Sequence, residues 1–136
     1  MEQVIKMKYI IDIDGTICKE VILPNGKKDY ANHIPHMDRI VKVNALYDAG
    51  HTIKYMTARG ITSGIDYSGL TQEQLAKWGA KYHELDVGNK PHYDIWIDDK
   101  AFWSEDFFRD TGVTVVKSNK VKYSSPEEQK IRDLRS

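Results

Sequence analysis

The sequence predicts a three-layer α/β/α, Rossmann-like domain with a parallel sheet and a small β-hairpin flap after the first strand. Three observations carry that prediction. Apolar strand-like runs alternate with helix-like segments along the 136 residues, and strands separated by helices imply right-handed crossovers and a parallel sheet covered on both faces. The first run, Lys8-Tyr9-Ile10-Ile11-Asp12-Ile13, is almost unbroken in apolar residues, as buried parallel strands are. Directly after it, Val21-Ile22-Leu23 and Asp29-Tyr30 flank Pro24-Asn25-Gly26, and Asn-Gly is the strongest short hairpin signal.

Strands are expected at Met7–Ile13, Thr52–Met56, Ile95–Ile97 and Val113–Val116, with a weaker one near Tyr82–Leu85. The segment His36–Ala49 reads as a helix with Met37, Ile40, Val41, Ala45 and Leu46 on one face, and Gly50 follows as a C-terminal stop. Thr71-Gln72-Glu73-Gln74 is a capping-box pattern opening a helix over Thr71–Trp78, closed at Gly79. A third helix is expected over Lys100–Asp110, ending near Gly112. Ser125-Pro126-Glu127-Glu128 is a further helix start, with Pro at the first helical position. The hairpin occupies about residues 17–30, where it overhangs the end of the first strand. There is no internal repeat, and the length suits a single domain over residues 1–136.

Composition narrows the class of partner. The chain carries 20 basic and 20 acidic residues, so it has no electrostatic footprint for nucleic acid or an anionic membrane. Lys117, Lys120 and Lys122 make a short cluster that reads as a solvated edge. The single cysteine, Cys18, excludes an intramolecular disulfide framework and a Cys-rich zinc site. No apolar run approaches a membrane span, and Met1-Glu2-Gln3 does not open a signal peptide. A soluble cytoplasmic protein is expected.

Functional groups collect where a parallel strand ends. Asp12 and Asp14 lie at i and i+2 and share a face there. Neighbouring carboxylates repel, and desolvation adds to the cost of keeping both ionised. A hard divalent cation with oxygen ligands is a natural counter-charge; a plain strand end with an Asp-Gly turn is the alternative. Further strand or loop ends carry matching groups. Met56 is followed by Thr57-Ala58-Arg59-Gly60, a hydroxyl and a guanidinium beside backbone amides that suit a phosphate oxygen. Lys90 follows Gly88-Asn89, and Ile95-Trp96-Ile97 ends in Asp98-Asp99, repeating the opening pattern.

In these motifs the chain resembles the haloacid dehalogenase superfamily of phosphohydrolases, over nearly its whole length. The four motifs stand in family order: Asp12-Ile13-Asp14-Gly15-Thr16, Thr57 within Met-Thr-Ala-Arg-Gly, Lys90, and Asp98-Asp99. Within the superfamily it looks most like the short phosphatases of capsule and surface-polysaccharide biosynthesis. That closer likeness rests on length, on Thr-Ala-Arg-Gly followed by Leu-x-x-Trp-Gly, and on Tyr-Asp-x-x-Ile-Asp-Asp-Lys.

The resemblance implies a magnesium-dependent phosphomonoester hydrolase. Asp12 is the nucleophile that forms an aspartyl-phosphate. Asp14 is the acid/base, its backbone carbonyl also a magnesium ligand. Thr57 holds the phosphoryl group with Ala58 and Arg59 beside it, and Lys90 neutralises charge and keeps Asp12 ionised. Asp99 is the preferred metal ligand, with Asp98 a ligand or its support. An aspartate at position 14 favours a phosphatase over a dehalogenase, because halide leaves without a proton. The expected substrate is a small phosphorylated metabolite, with a sugar phosphate first. Alternatives are a nucleotide or nucleic-acid-end phosphatase, and a non-catalytic phosphate-binding module.

Neither the stretch between Asp14 and Thr57 nor that between Thr57 and Lys90 leaves room for a cap domain. An open site results, suited to a bulky substrate or to a homo-oligomer that covers it. Selectivity then falls to a rim, with Lys27, Lys28, Arg59 and the loop Ser63–Ser68 as candidates. His33-x-x-His36 reads as a helix cap or solvent-facing pair rather than a metal site, and Cys18 as a small buried side chain. Trp78, Trp96, Trp103, Phe102, Phe107 and Phe108 are the expected aromatic core.

Overall fold

The structure, a computed structural model, describes residues 5–109. In chain order the elements are β1 (Lys8–Asp12), β2 (Cys18–Lys19), a 3-10 turn (Tyr30–Asn32), β3 (Ile34–Pro35), α1 (Met37–Asp48), β4 (Thr52–Thr57), α2 (Ser68–Lys77), β5 (Glu84–Val87) and α3 (Ser104–Phe107). Strands β1, β4 and β5 form a parallel sheet in that order, and β2 pairs antiparallel with β3. This is the three-layer α/β/α class that the sequence predicts, with a hairpin after the first strand and no cap domain among the described residues. The chain divides into two compact units, Met1–His92 and Tyr93–Ser136.

The register of the first unit explains where its polar groups collect. Asp12 pairs with Met56, and Thr57 pairs with Val87, so three strands end at the same level. Their alternation sets the core: Ile53, Tyr55 and Thr57 are buried on one face of β4, as period-two geometry requires. Ile11, Ile13, Ile17, Ile40, Val43, Leu75 and Trp78 are buried as well. The Asp86–Gly88 backbone stays close to β4, with the Gly88 N–H on the Thr57 carbonyl at 2.9 Å.

Helix α1 lies within the predicted span but turns a different face inward. Ile40 and Val43 are buried, whereas Met37 and Val41 are 46% and 60% exposed and Ala45 is also exposed. Of the predicted stripe Ile40 is buried and Leu46 half-buried, while Val43 rather than Val41 faces the core at spacing i, i+3 from Ile40. Helix α2 starts at Ser68 rather than Thr71. Asp66 Oδ1 accepts the Ser68 N–H at 2.9 Å, so the turn at Asp66 begins the helix, and Thr71 is released for a buried role inside it.

The hairpin is longer than residues 17–30. Its tip closes through Ile22↔Lys28, with the Gly26 N–H on the Leu23 carbonyl at 2.8 Å. Asn25 Oδ1 takes the Lys27 N–H at 2.9 Å, and Gly26 has a φ of 84°, a conformation that favours glycine. Its base is the β2/β3 ladder, Cys18↔Pro35 and Lys19↔Ile34. The chain therefore returns to the end of β1 only at residue 35.

In the second unit the expected strand Ile95–Ile97 does not form. Asp98 instead takes the Lys100 N–H at 2.8 Å and the Trp96 indole at 3.3 Å, a local pairing that competes with a strand ladder. The third helix is α3, shorter than Lys100–Asp110. Of the expected aromatic core, Trp78 and Phe108 are buried, while Trp96 and Phe102 are exposed and Trp103 and Phe107 half-buried. The strand Val113–Val116, the helix start at Ser125, the stop at Gly112 and the lysines 117, 120 and 122 lie outside the described residues.

Candidate active site

The loop after β1 is a tight turn made by its own backbone. The Thr16 and Ile17 N–H groups bond the Ile13 carbonyl at 3.1 and 3.0 Å, and the Gly15 N–H bonds the Cys18 carbonyl at 2.9 Å. Gly15 has a φ of 82°, where a side chain would be strained. This turn sends Asp12 and Asp14 to different partners, although they emerge from one strand end.

Asp12 faces Lys90 and Thr16. Lys90 Nζ donates to Asp12 Oδ1 at 2.8 Å, and Thr16 Oγ1 donates to Oδ2 at 3.0 Å. Arg39 from α1 fixes this turn in place, with Nη1 on the Thr16 carbonyl at 2.8 Å. Burial raises the Asp12 pKa above the usual carboxylate value, and the Lys90 charge and hydrogen bonds only partly oppose it. The result is an ionisable carboxylate with few partners, held against a cation and still 29% exposed in its side chain.

Asp14 sits in a donor-rich pocket. Arg59 Nη2 reaches Oδ1 at 2.8 Å and Nε reaches Oδ2 at 3.0 Å, a forked charge-assisted pair. Thr57 Oγ1 donates to Oδ2 at 3.0 Å, and His33 Nδ1 lies 2.9 Å from Oδ1. With a carboxylate facing it, His33 carries its proton on Nδ1. Burial pushes the Asp14 pKa up, but Arg59, Thr57 and His33 together outweigh it and hold the group below its ordinary value.

Arg59 is 1% exposed, the largest fully buried side chain described. Its remaining donor, Nη1, reaches Thr71 Oγ1 at 3.1 Å and Gln74 Oε1 at 2.7 Å on α2. The guanidinium lies 4.8 Å from the Tyr30 ring centroid, within cation–π range. Gln74 Nε2 in turn donates to the Tyr30 carbonyl at 2.6 Å, and Tyr30 meets Tyr67 edge-on at 4.9 Å. The loop that delivers Arg59 depends on Gly60, where a Cβ would collide with the Ile65 carbonyl.

Asp14, Cys18 and His33 bring three ligating atoms within 4.8 Å of one another, a donor set capable of coordinating a metal ion. Cys18 Sγ is 3.6 Å from Asp14 Oδ1 and 3.9 Å from His33 Nδ1. Burial, then the Asp14 charge, pushes its thiol pKa up to about 12, so it is a protonated thiol here. Thiol and imidazole suit softer ions than magnesium. The Arg59 guanidinium also holds the same carboxylate, and a second cation there meets direct repulsion.

Among the residues singled out from the sequence, Asp12 meets Lys90, and Asp14 meets Thr57 and Arg59, two groups that the same tight turn separates in the first unit. Ala58 sits half-buried between Thr57 and Arg59, its carbonyl accepting the Ile61 N–H at 2.9 Å. Asp98 and Asp99 belong to the second unit, both exposed, with Asp98 held below its ordinary pKa by the Lys100 N–H and then by Trp96. Lys27 and Lys28 are exposed, and Lys28 pairs with Glu20 at 3.3 Å. In the loop Ser63–Ser68, Ser63 and Asp66 cap neighbouring backbone N–H groups.

Two expectations change at this site. Arg59 is a buried partner of Asp14 rather than a rim residue. The His33 side chain does not face solvent: it is 4% exposed and bonds Asp14, while its backbone closes the 3-10 turn and His36 stands at the N-cap of α1. Its spacing to His36 drew attention to the wrong partner; the β2/β3 register that brings it to Asp14 joins residues distant in sequence.

No family model and no curated protein matches the chain. A crystal structure of a target protein from Vibrio cholerae is similar in fold, with a TM-score of 0.64 and 24% identity. The match covers 97% of this chain and 100% of that one. It supports the architecture and leaves the chemistry to the residues themselves.

Proposed function

We propose that the protein is a magnesium-dependent phosphomonoester hydrolase of the haloacid dehalogenase type, working through an aspartyl-phosphate on Asp12. The observation that carries this reading is the 2.8 Å contact of Lys90 Nζ with Asp12 Oδ1. It joins the carboxylate of the first motif to the lysine of the third across a long stretch of chain. A lysine held there neutralises phosphoryl charge and keeps the nucleophile ionised.

In the first half-reaction, an Asp12 oxygen bonds to phosphorus as the bond to the leaving oxygen breaks, and the leaving oxygen takes a proton from Asp14 or from solvent. In the second half-reaction water attacks phosphorus, Asp14 accepts its proton, and the electron pair of the broken bond returns to Asp12. Thr57 has one hydroxyl proton to give. Donated to Asp14 Oδ2 in the resting site, it turns to the phosphoryl oxygen when substrate is bound, and the freed lone pair on Asp14 accepts from water. By the motif resemblance, the Asp12 carboxylate and the Asp14 carbonyl would hold magnesium, which would supply positive charge for the transferring group. The motif resemblance adds Asp99, with Asp98 beside it, as further oxygen donors; magnesium titration of Asp99→Asn tests that assignment.

The substrate class is a small phosphorylated metabolite, with a sugar phosphate of surface-polysaccharide biosynthesis first because of the motif likeness. The absence of a cap domain among the described residues suits an open site. The test is phosphate release from sugar, polyol, nucleotide and aryl monophosphates, ranked by kcat/KM, with and without magnesium. Turnover confined to the magnesium arm and led by a sugar phosphate is expected. No turnover with any divalent ion in folded protein contradicts the enzyme reading, and a nucleotide ranked first contradicts the sugar.

A further inference from the structure

We infer that Arg59 is a positioning residue for the second half-reaction: it orients Asp14 as the base that activates water against the aspartyl-phosphate. The inference rests on the phosphatase reading above and goes beyond it, since the motifs place Arg59 only beside the phosphate. Four of the five N–H donors of Arg59 are used inside the protein. Nε and Nη2 fork onto Asp14, Nη1 is held by Thr71 and Gln74, and the planar face lies against Tyr30. A guanidinium so enclosed, 1% exposed, does not turn outward to a substrate phosphate without breaking that set. Its fixed planar fork instead sets the plane of the Asp14 carboxylate.

The remaining contacts on Asp14 complete the argument. His33 occupies Oδ1 from the hairpin, and Thr57 occupies Oδ2 from β4. A carboxylate has about four lone-pair sites; Arg59 and His33 hold three of them, and the Cys18 thiol adds a longer contact to Oδ1. Only the site used by the Thr57 hydroxyl can be exchanged for water. Arg59 thus leaves Asp14 one working lone pair in one direction, and α2 and the hairpin brace the residue that sets it. When water attacks, its proton goes to that Asp14 oxygen, its oxygen bonds to phosphorus, and the bond from phosphorus to Asp12 breaks with its electron pair on Asp12.

The consequence separates two kinetic constants. With nitrophenyl phosphate the leaving phenolate needs little help from a proton donor, so kcat/KM reports attack by Asp12. The constant kcat also contains hydrolysis of the aspartyl-phosphate, which needs the base. In Arg59→Lys the charge stays but the fork is lost. We expect kcat to fall about 100-fold, the scale of a displaced general base, with kcat/KM held within about threefold. A pre-steady-state burst of one phenolate per enzyme should then appear, with an acyl phosphate that hydroxylamine traps.

Because Arg59 is buried, the same measurement is made on Gln74→Leu, which keeps Arg59 and removes its firmest brace. Circular dichroism establishes which variants are folded. A smaller loss in kcat with unchanged kcat/KM is expected there. An equal fall in kcat and kcat/KM, or no burst, in whichever variant folds overturns the positioning role while the parent enzyme still turns over. A parent that releases no phosphate overturns the phosphatase reading itself, and the inference with it.

Discussion

Asp12 and Asp14 leave the same strand end, yet the protein treats them oppositely. Asp12 has a lysine and a threonine hydroxyl, and its pKa is raised, chiefly by burial. Asp14 is buried too, but Arg59, Thr57 and His33 surround it with donors and lower its pKa. The tight turn at Gly15 produces this division by sending two adjacent carboxylates into separate pockets. A sparsely held carboxylate suits a nucleophile that must change partners during turnover. A densely held one suits a base whose direction must not change.

The largest test of that contrast removes the nucleophile. Asp12→Asn keeps the shape of the site and is expected to reduce phosphate release by about a thousandfold or more, with an unchanged circular dichroism spectrum. The next test removes the two cations one at a time. Arg59→Met strands the Asp14 charge in a buried pocket and should cost about 3–5 kcal/mol in urea unfolding at neutral pH. Lys90→Met affects a pair that is 18% and 29% exposed, and should cost only about 1 kcal/mol. Activity should rank the other way, with the Lys90 variant the more damaged. The same ranking in both measurements would break the comparison.

How much of this the sequence carried differs between the two carboxylates. Asp12, Lys90 and the strand ends that hold them are marked by local patterns: an apolar run, an acid at its end and a lysine in a loop. The parallel sheet and the hairpin were legible for the same reason, since alternation and Asn-Gly are short-range signals. The Asp14 pocket was not. Arg59 is buried because α2 starts early enough to offer Thr71 and Gln74, and His33 arrives through the β2/β3 register. Both depend on tertiary packing that no spacing in the chain displays. The missing strand at Ile95–Ile97 is the converse case, where an apolar pattern lost to local bonds from Asp98.

Acid stability sharpens the contrast through sign alone. The Asp14 pKa lies below its ordinary value of 3.8, so its contribution is present above about pH 4 and is lost as pH falls through the lowered pKa. The Asp12 pKa is raised, so ionising it costs stability as pH rises from its ordinary value towards its folded one. In metal-free buffer, Asp14→Asn should therefore flatten the loss of urea midpoint between about pH 5 and pH 2, and Asp12→Asn should steepen it. Parallel profiles for the two variants would contradict the assignment of environments.

The smallest effect concerns the thiol. Cys18 Sγ lies 3.6 Å from Asp14 and 3.9 Å from His33, weak thiol contacts beside the shorter bonds that Arg59, Thr57 and His33 make to Asp14. Cys18→Ala is expected to keep activity within about threefold and to leave the magnesium requirement after chelation unchanged. Loss of the metal response in that variant would move the metal to the Asp14, Cys18 and His33 group.

The account turns on the covalent bond to Asp12, and that bond can be read directly. Protein mixed with substrate and magnesium, quenched in acid within one turnover and reduced with borohydride, converts an aspartyl-phosphate to homoserine. Peptide mapping by mass spectrometry is predicted to find homoserine at position 12 and none in Asp12→Asn. Homoserine at another aspartate, or active protein with no reduced residue at any quench time, would contradict the account.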